Sequence, residues 1–562
     1  MLKIQIAIQL LICLLFSTQA LASESSILSL QPYAVTEKDY ARPDLKAKLT
    51  NINPNINSWF FLTLEMVVKN RSYTFHLENI DKKNPVKLAA GGLTIGDQHC
   101  PLWENPDLDT LLTAKKKSKP FVSLCNNKIF LRKKVQGYTT TKEWVVEFVR
   151  GNLWGGEALI SGVKNTVYKD KYLQLASLNG APQPVAEYAP PTNSPLPANT
   201  RPEISAKMLL PEHLGISLRK SRRRNDKRMA LGKWYEVQGE PNMFISIIYP
   251  DAISDDIMNE NQKLVRNLDS VEKKALTYLA AFNLEAYEMH FSTGTDHPKT
   301  GWSDRSKMAM RNVNAKGPDG INSSDPIVQT GLVPPTKSED IVATFTGGFK
   351  RSHGAFKFGK LANINHGSHY GFVENGVIFS SLQPHLSTLY ILTTGEVGLK
   401  TWQSEDQNSL GPKILHARQN GVPIVEAGIP GKLVKFWGKG NWSGNEHAQQ
   451  RTLRAGMCLT KKSKKYKKGH LIYGYFSSVT SSAMARVFQA YDCEYAMHLD
   501  MNALEHTYLA RYVRSETKAR YPEQLIKGMA VLDRRFGKQG KVPRFVGYPD
   551  NRDFFYLLRL RK

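Results

Sequence analysis

Strand-like apolar runs dominate the first third of the chain. From Trp59 the text reads Trp-Phe-Phe-Leu-Thr-Leu-Glu-Met-Val-Val, then a short polar turn Lys69-Asn70-Arg71, then Ser72-Tyr73-Thr74-Phe75-His76-Leu77. Two runs of aromatic and aliphatic residues around a brief polar break predict a β-hairpin. Lys128–Leu131 and Glu143–Val149 read as further strands, and no long helix is expected before Ala176. Met243 to Tyr249 is an apolar run of strand length. Between Asp269 and Phe282 the pattern changes: Val271, Ala275, Leu276, Leu279 and Phe282 fall at helical intervals, which predicts a short amphipathic helix.

Punctuation divides the chain. Residues 1–22 place one lysine before an apolar stretch and end in Ala20-Leu21-Ala22, the small-x-small pattern of a cleaved secretory leader. A β-rich unit is expected over 23–178, and a Pro-rich linker over 179–203, where seven prolines between Pro182 and Pro202 favour extended, solvated backbone. A basic connecting region with the short helix follows over 204–281, including the run Lys220 to Arg228, and a final domain over 282–562. At 562 residues the chain exceeds the roughly 250–300 residues that one core serves. After the leader, no second apolar run is long enough to span a bilayer. Cys100, Cys125, Cys458 and Cys493 fall as two separated pairs, read as two local disulfides in an oxidising compartment, with four buried thiols as the alternative. The expected location is periplasmic or secreted. Formal charge is +26, which favours polyanionic partners. Outside the cytoplasm these are anionic or phosphorylated glycans; no nucleic-acid-binding fingerprint is present.

Three islands in the last half carry a family resemblance. They are Ala343-Thr344-Phe345-Thr346-Gly347-Gly348-Phe349, then Gln450-Arg451-Thr452-Leu453-Arg454-Ala455-Gly456, then Ala496-Met497-His498-Leu499-Asp500-Met501-Asn502-Ala503. In this order, and with strand-like text over Ala286–Phe291, strand-and-turn repeats ending at Asn420-Gly421, and a helix over Ser481–Tyr491, the region 282–559 resembles the phosphodiester glycosidase family. The resemblance implies an α+β fold of mixed sheets and helices and cleavage of a sugar from a phosphate. Two departures stand out. Thr346 replaces an asparagine of the family pattern, and Met501, Asn502 and Ala503 replace three glycines. Glycines there would permit positive φ or close approach to a ligand, so the loop must be reshaped; Asn502 is the residue able to take a left-handed conformation.

The resemblance implies Asp500 as the catalytic base or nucleophile and Arg451 as a two-point phosphate clamp, the alternative being a buried structural ion pair. Glu505 and His506 lie close enough in sequence to add a carboxylate or an imidazole, or else they begin a solvated loop. Thr346, Gly347, Gly348, His353, Thr452 and Asn502 are the expected substrate-binding positions. His353, His366 and His369 follow the first island, but two histidines without placed carboxylates do not make a metal site, and no metal or cofactor is expected. Lys461, Lys462, Lys464 and Lys465, in a connection carrying six lysines between Thr460 and Gly469, read either as a grip on acidic polymer or as a solubilising loop. Two functions follow: an exported hydrolase of glycosyl phosphodiesters or related envelope-glycan bonds, or a non-catalytic binder of anionic polysaccharide that keeps the fold.

Overall fold

The computed structural model describes residues 26–103, 109–152, 171–175, 188–205, 207–219, 228–298, 302, 321, 323–350, 370–436, 451–514, 521–535 and 541–560. The leader, the basic run through Lys227, and His353, His366 and His369 lie outside them.

Among these residues the protein is mostly β, with strand at 41% against helix at 15%, where an α+β fold was expected. The helices that do form are short, none of the described ones exceeding the twelve residues of Thr141–Asn152. The hairpin is present as Trp59–Met66 and Arg71–Asn79, at the centre of an antiparallel six-stranded sheet that also takes in Ile129–Arg132. That sheet builds its own core from Leu49, Phe60, Leu62, Phe75, Leu77 and Leu131.

The second half is organised by an eight-stranded sheet and two five-stranded ones. In the eight-stranded sheet, Glu240–Ile248, Thr277–Asn283, His470–Val479, Thr452–Thr460 and Cys493–Met501 run side by side. In one five-stranded sheet Phe554–Arg559 lies between Tyr287–Ser292 and Ile341–Thr346. These two sheets meet through aromatic contacts: the Phe345 ring is 5.4 Å from Tyr473 and 5.4 Å from Phe555. The expected helix over Ser481–Tyr491 forms as Ser481–Ala490, capped by the Thr480 side chain.

Three local expectations are corrected. The helix predicted from Asp269 to Phe282 stops at Lys274, and Thr277–Asn283 is a strand buried along its whole length. Its apolar residues face partners on both sides of a sheet, which helical spacing alone cannot distinguish. Conversely, the predicted strand Glu143–Val149 lies inside the helix Thr141–Asn152. The Thr140 hydroxyl caps it by accepting the Glu143 N–H at 3.1 Å. Finally, the described part of the Pro-rich linker is extended but docked: Ala198 N–H bonds Gly232 O at 2.8 Å, and the Trp234 indole donates to Leu196 O at 2.8 Å.

Both disulfides are formed, Cys100–Cys125 and Cys458–Cys493. With sequence separations of 25 and 35 residues, loop closure contributes about 3–4 kcal/mol each in the chain-entropy model. Denaturing, non-reducing alkylation of the purified protein is therefore expected to label no thiol at these four positions. Replacing Cys458 and Cys493 by serine should lower the unfolding midpoint; an unchanged midpoint would show that the bridge is not a stabilising element.

Candidate active site

The three islands converge. Asp500 is the penultimate residue of the strand Cys493–Met501, and the chain turns immediately after it. The turn is made by Asn502, whose φ is +79°, so one asparagine supplies the left-handed step without glycine. Its N–H bonds Leu453 O at 2.8 Å and its side-chain oxygen accepts from the Thr452 hydroxyl at 2.9 Å, tying the third island to the second. The Thr346 hydroxyl donates to His506 O at 2.7 Å, tying it to the first. Gly347 N–H bonds Asp553 O at 2.8 Å, and Gly348, with φ of +135°, passes so close to the Asn420 amide that a Cβ would sit 3.0 Å from it.

Arg451 does not reach Asp500. Its guanidinium bonds both carboxylate oxygens of Asp269 at 2.7 Å, beside the N-terminus of the helix Ser270–Lys274. The cation on Asp500 is Arg552, at 2.7 Å from Oδ2. Arg552 also bonds Glu143 Oε1 and His506 Nε2, each at 2.7 Å. His506 is partly exposed, while the ion pairs are buried, with Asp500 4% exposed and Arg552 2%. Around it, Lys350 Nζ contacts Glu143 at 2.9 Å and Glu147 and Asp296 at 2.8 Å each. Beneath it, Arg418 pairs with Asp553, which also accepts from Gly294 N–H and bonds the His297 ring.

Glu143 comes from far away in the chain, and its placement has a local cause. Backbone bonds between Tyr138 and both Pro549 and Asn551, at 2.9 and 3.3 Å, stitch the segment before the helix to the segment before Arg552. The Thr140 cap then starts the helix, and its first turn delivers Glu143 to the guanidinium.

Electrostatics set the two carboxylates apart. Burial pushes the Asp500 carboxyl up to about 7, more than Arg552 and the Met501 N–H pull it down. Burial acts on Glu143 in the same sense, but Arg552 and Lys350 together outweigh it and hold that carboxyl far below the usual range. His506 is held between its partners. Nδ1 lies 2.6 Å from Met501 O, an acceptor, and Nε2 faces Arg552, a donor. Nδ1 also lies 3.8 Å from Asp500 Oδ1, so the ring bridges Arg552 and the end of the strand that carries Asp500.

Of the other expected residues, Glu505 is buried at the turn, where its carbonyl accepts from Arg544 at 2.8 Å. The lysine connection lies elsewhere. It joins the far ends of the strands Thr452–Thr460 and His470–Val479, with Thr460 opposite Cys493 and Arg454 opposite Met501. Seven residues of strand put it roughly 20 Å from Asp500. Arg552 and Asp553 are marked in sequence only as the end of a polar stretch, Pro549 to Asp553, before the apolar run Phe554 to Leu558.

Comparison with known proteins gives a distant structural likeness. No family model matches the chain. No curated protein matches it either. Solved structures that do match include the zebrafish N-acetylglucosamine-1-phosphodiester alpha-N-acetylglucosaminidase catalytic domain, auto-inhibited by its pro-peptide. It is 11% identical, with 69% of this chain and 100% of that one covered, at a TM-score of 0.28. A protein described as exported, from Burkholderia pseudomallei, is 7% identical over 50% of this chain and 74% of that one, at a TM-score of 0.25. A hypothetical protein from Synechocystis is 8% identical over 94% and 96%, at 0.26.

Proposed function

We propose that this chain is an exported hydrolase cleaving glycosyl phosphodiesters or related bonds in envelope polysaccharide. One observation carries the reading: a single arginine holds two buried carboxylates whose proton affinities are driven in opposite directions, with the His506 imidazole beside them. Such a divergence separates acid–base roles within one site. A phosphate is a weak base and leaves with little help. The demanding task is activation at the anomeric carbon, and Asp500, titrating near neutrality, is suited to it as base or nucleophile. Glu143, held ionised, would offset positive charge developing on the sugar ring. Arg552 and Lys350 would face the phosphate. The leader and the two disulfides support export. Among the described residues no helix is long and apolar enough to cross a membrane.

The second reading, a non-catalytic binder of anionic polysaccharide, is favoured by a different observation. Arg552 and Lys350 are already matched by Asp500, Glu143, Glu147 and Asp296, as in a centre that only holds the fold together. Incubation with a panel of glycosyl methyl phosphodiesters, followed by mass spectrometry of released sugar and methyl phosphate, separates the two. A hydrolase releases both, loses release with Asp500→Asn and loses less with His506→Ala. Absence of release from every member of the panel would leave the binding reading.

A further inference from the structure

On the opposite end of the eight-stranded sheet from Asp500, the lysine connection overhangs a cleft of about 640 Å³, a volume in the range of small-ligand sites. Polar groups line part of it, among apolar neighbours such as Pro241, Ala286 and Leu560. The Asn283 amide bonds the backbone of Glu285 at 3.0 Å and reaches Asn242 at 3.5 Å, while the Asn242 NH2 has no partner among the described residues. Glu240 is fixed by the Tyr287 hydroxyl at 2.7 Å and by Arg559. Its wall is the half-buried ring of Tyr466, held edge-on by His470 at 4.7 Å and locked by the turn that ends at Gly469, whose φ is +72°. The Lys465 ammonium rests 4.9 Å from the same ring.

The lysines of this connection are not equivalent. Lys461 pairs with Asp492 at 3.2 Å and Lys462 with Glu396 at 2.8 Å. Among the described residues the ammonium groups of Lys464, Lys465, Lys467 and Lys468 have no carboxylate partner, and all four residues are exposed; the Lys468 backbone N–H donates to Glu285 Oε1 at 2.8 Å. The unmatched charge therefore surrounds Tyr466 and the mouth of the cleft. A fixed aromatic face, planar amide and carboxylate groups below it, and unpaired cations at the rim are complementary to one chemistry. The C–H face of a sugar stacks on the ring, its hydroxyls meet the amides and Glu240, and an acidic substituent meets the ammonium groups.

We propose that this cleft is a docking site for an acidic saccharide unit, bearing carboxylate or phosphate, within a longer polyanionic chain. It is separate from the Asp500 centre and depends on no chemistry there. Titration calorimetry of the full-length disulfide-bonded protein tests it, using an oligogalacturonate, a phosphomannan oligosaccharide, neutral maltopentaose, and inorganic polyphosphate as a charge-only probe. The first or the second is expected to bind, and the stronger of the two identifies the acidic group. Tyr466→Ala should weaken that binding at least tenfold, Asn242→Trp should block it, and joint replacement of Lys464 and Lys465 by serine should flatten its salt dependence. Asp500→Asn should bind as the parent does, so loss of catalysis and loss of docking remain distinguishable. Tyr466 stands in an exposed turn, and unchanged unfolding midpoints will show that its variant is folded. Binding of neither acidic saccharide, full binding by both Tyr466→Ala and Asn242→Trp, or equal and Tyr466-independent binding of polyphosphate would overturn the proposal.

Discussion

Arg552→Met should cost about 3–5 kcal/mol of stability at pH 8, because it leaves Asp500 and Glu143 buried without their shared cation. The loss arises less from the bonds removed than from the charges stranded. It should therefore shrink when those charges are removed. At pH 5 Asp500 is protonated in the fold and needs no cation, so the penalty falls to that of Glu143. Adding Glu143→Gln to Arg552→Met should recover part of the remainder, although Lys350 then loses one of its three carboxylates. Urea unfolding of the parent, both single variants and the double variant, at pH 5 and pH 8, gives the coupling directly. If Arg552→Met unfolds with the parent at pH 8, the guanidinium does not organise this centre.

Asp500→Asn should do the opposite to stability while abolishing any turnover. A carboxyl whose folded pKa lies near 7, against an ordinary value of 3.8, binds its proton more tightly in the native state than in the unfolded one. Below about pH 4 both states are protonated and the residue is neutral in its effect. As pH rises from there to 7, the unfolded chain releases the proton first, and native stability falls; above 7 the penalty is complete. Three pH units correspond to roughly 4 kcal/mol. Asparagine carries no such charge, so the variant should match the parent near pH 4 and exceed it by an amount that grows up to pH 8. Glu143 has the reverse linkage. Its lowered pKa contributes stability that is present above the ordinary carboxylate range and lost as pH falls below it. A flat stability difference between Asp500→Asn and parent across pH 4–8 would mean that Asp500 is ionised throughout and unsuited to proton transfer near neutrality.

Much of this centre could be read from sequence through local rules. The left-handed capacity of Asn502 and the helix before the strand that leads to Asp500 both follow from local text. The cysteine pairs did too, because short separations leave few geometries. What failed was long-range pairing. Arg451 is as plausible a clamp as Arg552 until the register is known, and the register gives it to Asp269. Glu143 was hidden by its neighbours: Trp144, Val145 and Phe148 argue for a strand by residue type. The better signal was Thr140 followed three residues later by Glu143, the sequence of a helix capping box, although the carboxylate is used elsewhere. The helix expected over Asp269 to Phe282 failed for a complementary reason: a strand buried on both faces has no polar side to reveal its period.

The position of Phe554–Arg559 between Tyr287–Ser292 and Ile341–Thr346 bears on the order of events during biogenesis. In order of synthesis the two strands that flank it come more than two hundred positions before the one that joins them. Until then both carry open edges, and Arg552, two residues upstream of the closing strand, has not arrived. Glu143 and Lys350 emerge earlier and must wait. The centre around Asp500 therefore cannot assemble until the segment that carries Arg552 has been made. The half-made sheet, with its open edges, is the stage at which a chaperone or protease would find the chain most exposed.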